Sequence, residues 1–542
     1  MTEPASLRIL PMGDRALLAE VADLDAVLLL RDALAASRPD GVVDLVPAAR
    51  TVLVRVDPTV LSLAAAEAWI ARAAGASASA VPTEAARVEL DVVYDGPDLA
   101  ATADLLGLSS EALAARHAAA VWRVAFTGFA PGFGYLVSLD WPFDLPRLTA
   151  PRTRVPAGSI GVAGGFSGAY PRESPGGWRL LGRTDAVLFD PAAPAPVLLP
   201  PGTEVRFRPV PALRPAPVLT HPDQVISRIQ DESAAFGPDS AKSPDLGGAG
   251  RGRGRAIEVG QPGLLATVQD LGRPGRAALG IAGSGALDRG ALRTANRLVG
   301  NPESAAGIEI TLGGLTATAR GDLWVAVCGA WGSMRIDGRA VGAYEAHPWP
   351  DGTRLEVDGF ARGTRGYLAV RGGIAVPEVA GARSSDLLAG LGPAPLRAGD
   401  VLPVGVAAGP VPALEIAPWG MPHDDALVVE LAPGPRADWF AASARRALFE
   451  ELWRVTAEAD RIGMRLSGPP LDRVRAGELP SEGMVPGAIQ VPPSGMPTIL
   501  LADGPVTGGY PVIAVVADAS LDALAQARPG AGIRFRGLYR RI

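Results

Sequence analysis

Residues 155–184 read VPAGSIGVAGGFSGAYPRESPGGWRLLGRT. Eight glycines and three prolines break this stretch so often that no helical spacing survives. Short apolar runs bounded by turn signals read instead as brief strands joined at tight corners, the pattern of a barrel or sandwich. Glycine tolerates positive φ and lets backbone N–H groups approach a ligand closely. Such corners can simply close a barrel, and they can also hold a carboxylate or a developing oxyanion without formal charge. The stretch alone leaves both readings open.

An echo of it lies near the other end of the chain. PGFGYL (131–136), VPAGSIGV (155–162) and SGAYP (167–171) are followed, in the same order, by DRIGMRL (460–466), VPGAIQV (485–491) and TGGYP (507–511). Three matches in one order predict a duplicated barrel.

Working outward, residues 7–85 alternate β-rich runs, ALLAEV and RTVLVRVD, with helical stretches near 24–36 and 60–74, so 1–86 is expected to be a small α+β domain. RVELDVVYD (88–96) opens a second unit, which passes a helical pair ending near Ala120 and is then strand and turn; 87–211 is assigned to the first barrel. Residues 212–255 have linker composition, and RGRGR (251–255) belongs with them. The span 256–542 is β-rich again, with a break near 410–425. One helix in it has legible ends: Ser284 is placed to cap it, Asp288 falls in its first turn, Leu287, Ala291, Ala295 and Leu298 share a face, and Gly300 with Pro302 stops it. The fold class is therefore mainly β with α+β.

Composition removes several functions. Acids number 57 against 51 bases, with no long run of either sign, unlike a phosphate-tracking nucleic-acid surface. MTEPASLRIL has an acid where a secretory signal carries bases, no stretch reaches the roughly 20 apolar residues of a membrane span, and the single cysteine, Cys328, fits a reducing compartment. These predict a cytoplasmic protein that binds neither membrane nor nucleic acid. Lys242 is the only lysine, and it lies in linker-like sequence. A Walker A loop, a Schiff-base centre and a biotin attachment site each need a placed lysine. ATP or biotin chemistry is thus expected to be handled mainly by another chain.

The candidate site residues are polar groups set among the glycine-rich turns. Arg152, Arg154, Arg179 and Arg183 flank the opening stretch and could clamp a carboxylate. Gly158, Ser159 and Tyr170 lie within it, and Glu173 is a candidate general base. Ser159 lacks the first glycine and the strand-to-helix context of a nucleophile elbow. His117 precedes the strand VWRVAFTGF and reads either as a catalytic group or as a packed histidine at a helix end. In the second half Gln269, Asp270, Arg273, Ser284 and Asp288 form either a site or a buried network, with Asp270 a candidate catalytic residue. Gln490, Thr507 and Tyr510 lie in the echo of the opening stretch. His117, His221, His347 and His423 show no metal-ligand spacing, so no metal site is expected, and Cys328 in LWVAVCGAW reads as core.

HAAAVWRVAFTGFAPGFGYL (117–136), PRTRVPAGSIGVAGG (151–165) and YPRESPGGWRLLGRT (170–184) resemble the B subunit of 5-oxoprolinase, whose family includes a sporulation-kinase inhibitor and proteins named allophanate hydrolase subunit 1. GLLATVQDLGRPG (263–275), SGALDRGALRTANRLVGNPESAAGIEITLGG (284–314) and VPGAIQVPPSGMPTILLADGPVTGGYPVIAVV (485–516) are similar to the C subunit of the same enzyme, whose relatives are the inhibitor's antagonist and the carboxyltransferase region of urea carboxylase. The chain thus looks like a B–C fusion. Thr127 and Gly134 depart from the family's usual residues. The resemblance implies cyclophilin-like β-barrels in both halves and the ATP-dependent opening of 5-oxoproline to glutamate with a separate A subunit. It also implies two alternatives: a carboxyltransferase component of a urea amidolyase system, or a regulator docking on a sensor histidine kinase. Whether the chain also forms a homo-oligomer is left open.

Overall fold

The runs ALLAE and TVLVRV are apolar at almost every position, and the fold explains why. The strands Arg8–Pro11, Ala16–Glu20, Val42–Pro47 and Thr51–Val56 form an antiparallel sheet in the order first, second, fourth, third. Leu17, Ala19, Val52 and Val54 face the helices Leu24–Ala36 and Leu63–Gly75, where Val27, Leu30, Leu34 and Ile70 complete a core. The alternate residues Ala16, Leu18 and Leu53 are buried on the opposite face against Met484, Ala488, Leu500, Val512 and Val515. A sheet covered on both sides needs no polar face, so the period-two pattern disappears. Each such aliphatic side chain contributes about 1.5–3 kcal/mol when fully buried.

In this computed structural model the residues described are 7–75, 86–150, 152–193, 195–213, 254–407, 409–413, 422, 426–475, 477 and 479–538. Most of the expected linker, with Lys242 and His221, lies outside them, as do His423 and most of the expected break at 410–425.

Two seven-stranded barrels follow one plan. The first has strands Arg87–Val92, Trp122–Thr127, Gly134–Val137, Ser159–Ala163, Phe166–Ala169, Arg179–Arg183 and Glu204–Pro209. The second has Leu427–Pro433, Trp453–Ala459, Gly463–Ser467, Ala488–Gln490, Thr498–Leu500, Val512–Val516 and Gly532–Gly537. In the first barrel the order is first, seventh, second, third, fifth, fourth, sixth, and in both barrels the first and seventh strands are parallel. The second barrel runs first, seventh, second, third, then the hairpin of its fourth and fifth strands, and sixth. The sixth strand meets the first again in both, through the Val93–Arg183 bridge in the first barrel. Each barrel also carries a two-stranded flap, Arg152–Val155 with Ser174–Gly176 and Glu482–Gly483 with Thr507–Gly508.

Two of the three sequence echoes are in register: PGFGYL and DRIGMRL lead into third strands, and VPAGSIGV and VPGAIQV into fourth strands. The third is displaced by one element. SGAYP lies on and just after a fifth strand, whereas TGGYP runs from a flap strand toward a sixth. Glycine, tyrosine and proline serve both turns, so local similarity there does not fix position.

Between the barrels, residues 254–404 form a sandwich of six- and five-stranded sheets. The helix Arg289–Leu298 packs Leu292, Ala295 and Leu298 against Cys328, Tyr367 and Ala369, so Cys328 is a core residue. Its N-cap is Asp288, which accepts the Ala291 N–H at 2.9 Å, rather than Ser284. Ser284 sits upstream at φ 53° and donates its hydroxyl to Asp503 at 2.6 Å. Arg461 ties the sandwich to the second barrel: it contacts Asp503 through two nitrogens at 3.0 Å, Glu309 at 2.6 Å and the Gly285 carbonyl at 2.7 Å. Burial opposes its charge, but Glu309 and Asp503 hold the guanidinium above its ordinary pKa.

Candidate functional site

The opening stretch supplies the fourth to sixth strands of the first barrel, and its corners are tightly packed. Gly158, at φ 78°, donates its N–H to the Tyr170 carbonyl, and a Cβ there would lie 2.2 Å from the Thr184 carbonyl oxygen. Ser159 is buried, and its carbonyl accepts the Tyr170 N–H at 2.9 Å. Tyr170 is buried among Phe129, Phe133 and Trp178, and this burial pushes its hydroxyl up to about 12.

Several of the other candidates are engaged elsewhere. His117 is fully buried, stacks on Phe207 at 4.6 Å, and is hydrogen-bonded to the Tyr94 hydroxyl and to Ser167 Oγ, each at 2.8 Å. Burial drives its pKa down to about 3. It is a neutral packed histidine, and the catalytic reading of it gives way because no side of the ring is open to a substrate. Glu173 is exposed and paired with Arg154 at 2.6 Å, and Arg183 is exposed and paired with Asp95 at 2.9 Å. Arg152 holds Asp98 at 2.6 Å, a carboxylate that also accepts the Leu180 N–H, so this arginine anchors a loop. These pairings leave the proposed carboxylate clamp around residues 152–183 without a free arginine among these three. Asp288 caps its helix, accepts from Gln526 at 2.7 Å, and is raised to about 6 by burial. Gln490 is buried with Nε2 3.3 Å from Met484 Sδ, and Tyr510 is half exposed.

The remaining candidates converge where the two halves meet. The 127–133 loop of the first barrel reaches into the second half: Thr127 donates its hydroxyl to the Ala278 carbonyl at 2.5 Å, and the Phe129 N–H donates to Thr507 Oγ1 at 3.2 Å. Phe129 takes φ 67°, a left-handed conformation that costs a bulky residue of order 1–3 kcal/mol and is retained where surroundings enforce it. Gly128 has no room for a side chain, since a Cβ would lie 2.1 Å from Thr507 Oγ1. Ile281 of the second half packs with Ala389 and Leu391, and Phe189 of the first barrel joins them.

At this junction Asp270 is saturated, accepting the N–H groups of Gly272 and Arg383 and the Ser384 hydroxyl. Arg273 is not. It is 1% exposed and donates through Nη2 to the Ser384 carbonyl, while Nε and Nη1 have no hydrogen-bond partner among the described residues. Facing it is Asp386, 2% exposed, whose Oδ1 accepts the Ala389 N–H while Oδ2 stands 3.9 Å from Arg273 Nη1, beyond hydrogen-bond length. Burial, and then the nearby Asp503 charge, raise Asp386 to about 6. Arg172 comes from the first barrel, two residues after Tyr170. Its buried Nε has no hydrogen-bond partner among the described residues, and burial lowers the guanidinium's pKa, opposed by the Asp386 charge. Sequence reasoning names Asp270, Arg273, Ser284 and Thr507 here but misses Arg172, Asp386 and Asp503. Arg172 is visible inside the YPRES motif, whereas Asp386 in RSSDLLAG carries no motif at all.

Comparison with known proteins places this arrangement. The model for the carboxyltransferase domain, subdomain C and D, matches residues 7–199, and that for subdomain A and B matches residues 279–537. The second half is 39% identical over 285 residues to the C subunit of 5-oxoprolinase from Escherichia coli K12, covering 52% of this chain and 90% of that protein. The first half is 47% identical over 133 residues to the B subunit of 5-oxoprolinase from Escherichia coli O157:H7, covering 24% of this chain and 61% of that protein. The crystal structure of TTHA0988 superposes along both halves with a TM-score of 0.78 and 36% identity, covering 96% of this chain and 99% of that one. The chain therefore belongs to the carboxyltransferase-domain family that includes the B and C subunits of 5-oxoprolinase, and it carries both kinds, B-like first and C-like second, in one polypeptide.

Proposed function

We propose that this chain is the B–C component of an ATP-dependent 5-oxoprolinase, a hydrolase that opens 5-oxoproline to glutamate together with a separate A subunit. The observation that carries this reading is the junction of the B-like and C-like halves, where Thr127 donates to the Ala278 carbonyl and the Phe129 N–H donates to Thr507 Oγ1. Halves that bond each other this directly gain from being joined, since tethering replaces association with a high effective concentration.

A lactam is a poor electrophile. Transfer of the ATP γ-phosphoryl to its oxygen, with release of ADP, makes the ring carbon open to water; the C–N bond then breaks, the nitrogen takes a proton, and a second water hydrolyses the resulting acyl phosphate to the carboxylate and free phosphate. The residues present do not suit that nucleotide. The sole lysine, Lys242, stands in linker-like sequence, and no cluster of three or more His, Cys, Asp or Glu side chains is placed to hold a metal ion among the described residues. ATP is assigned to the A subunit, and this chain to holding the cyclic acid. No helix among the described residues is long and apolar enough to cross a membrane. A cytoplasmic location is part of the same proposal.

The test is to mix the chain with the 5-oxoprolinase A subunit, ATP and 5-oxoproline and to measure glutamate. Glutamate well above that from either protein alone is expected, and its absence would remove the reading.

A further inference from the structure

The flaps of the two barrels are held differently. The ion pairs of the first barrel's flap stay within its own half: Arg152 meets Asp98 and Arg154 meets Glu173, each at 2.6 Å. The flap of the second barrel, Glu482–Gly483 paired with Thr507–Gly508, is bound by the first half along both of its strands. On one strand Glu482, 2% exposed, accepts from Arg436 Nε at 2.9 Å and from Arg436 Nη2, and the same Nη2 donates to Glu20 of the first sheet at 3.0 Å. Just before that strand the Ser481 carbonyl accepts the Ala49 N–H at 3.2 Å, and a Cβ on Gly483 would lie 2.5 Å from Leu53 Cβ, so the flap lies flush on the first sheet. On the other strand Thr507 Oγ1 accepts the Phe129 N–H at 3.2 Å.

A two-stranded ribbon is marginally stable by itself, so its place is decided by what it packs on. A buried carboxylate such as Glu482 also depends on its partner, because separating the pair leaves an uncompensated charge. The Phe129 tie has its own cost. Ala130 donates its N–H to the Gly128 carbonyl at 2.7 Å across Phe129 at φ 67°, a three-residue turn of the rare, strained hand. Such a turn persists where its neighbours enforce it, and here the flap supplies one of them. On the flap's other side a Cβ on Gly508 would lie 2.6 Å from Gln490 Nε2, which is 3.3 Å from Met484 Sδ. Any shift of the flap therefore reaches Thr507 and the Gln490 amide together.

We infer that Glu20, acting through Arg436, and the Phe129 turn are positioning elements by which the first half fixes the flap of the second barrel, and with it Thr507 and Gln490. Two barrels of one plan thus differ in what sets their flaps: one flap is tied within its own half, the other is set by the neighbouring half. This coupling goes beyond the reading above and is independent of which substrate the chain takes.

Hydrogen exchange of the full-length chain, followed by mass spectrometry, tests it through local opening of the flap. Glu20→Gln and Thr507→Val each remove one tie with little change of shape, and Thr507→Ser keeps the acceptor oxygen. Amides in segments 481–484 and 506–508 are expected to exchange at least fivefold faster in Glu20→Gln and in Thr507→Val than in the unsubstituted chain. Those of the first flap, Arg152–Val155 and Ser174–Gly176, and of the strand Gly532–Gly537 are expected to stay within twofold, and Thr507→Ser to match the unsubstituted chain. Unchanged exchange of the flap segments in either variant would overturn the tie that it removes. A rise spread equally over the second barrel, or an equal rise in Thr507→Ser, would overturn the positioning role, since general destabilisation would then account for it.

Discussion

Trp122 and Trp453 occupy the same place in the two barrels. Each opens the second strand and donates its indole N–H to the carbonyl five residues earlier, near the end of the preceding helix, to His117 at 3.0 Å and to Leu448 at 3.1 Å. Both indoles are fully buried. Together with the shared strand plan this makes the duplication a property of packing as well as of topology.

Replacing either tryptophan by phenylalanine removes one buried donor and part of a ring. Each change is expected to cost about 2–3 kcal/mol, the sum of a lost buried hydrogen bond and a small cavity. The costs should be similar and additive, because the barrels have separate cores. Urea denaturation of the two single variants and the double variant measures this. A negligible cost at one position would show that the two barrels use their tryptophans differently.

His117 sets a pH dependence. Its folded pKa of about 3 lies below the usual 6.5, so the unfolded chain binds the extra proton and stability falls as pH drops below 6.5. Between pH 6.5 and 5 the loss from this group should be about 2 kcal/mol at about 1.4 kcal/mol per unit. His117→Gln lacks the titration, so its denaturation midpoint should fall less over that interval than that of the unsubstituted protein. Parallel pH profiles would show that His117 is accessible to protonation in the folded state.

Gly128→Ala places a methyl against Thr507 Oγ1, where 2.1 Å is available. Overpacking of this kind costs about 1–3 kcal/mol. Because the contact joins the two halves, calorimetric unfolding should show a lowered Tm, and Gly128→Ala combined with Thr507→Ala should recover part of it. No recovery in the double variant would place the strain elsewhere in the loop.

Arg183→Ala is expected to leave glutamate formation within about twofold and stability within about 1 kcal/mol, as befits an exposed ion pair. The sequence pattern alone makes Arg183 a leading candidate for the carboxylate clamp, and its pairing with Asp95 removes the reason. A tenfold loss in kcat/KM would restore it.

The fold was legible wherever local chemistry decides it. Helices expected at 24–36 and 60–74 are found at Leu24–Ala36 and Leu63–Gly75, and the β-rich, duplicated character followed from glycine spacing and echoed motifs. The helix cap was misplaced because Ser284 and Asp288 both suit a cap by type, and only the backbone path sends the Ser284 hydroxyl to Asp503. The site was half legible. Asp270 and Arg273 stand in a recognisable polar turn, but Asp386 joins them from far along the chain. No spacing rule reports such a meeting. Nor could the sequence show that the first sheet lays its second face on the last barrel, although the unbroken apolar runs were its trace.

The two halves are proposed to serve together in the opening of 5-oxoproline. The most direct test is the stoichiometry of the complete mixture of this chain, the 5-oxoprolinase A subunit, ATP and 5-oxoproline, with ADP and glutamate followed together. Glutamate and ADP are expected in equal amounts, both dependent on this chain. ATP consumption without glutamate, or no reaction beyond that seen when this chain is omitted, would contradict it.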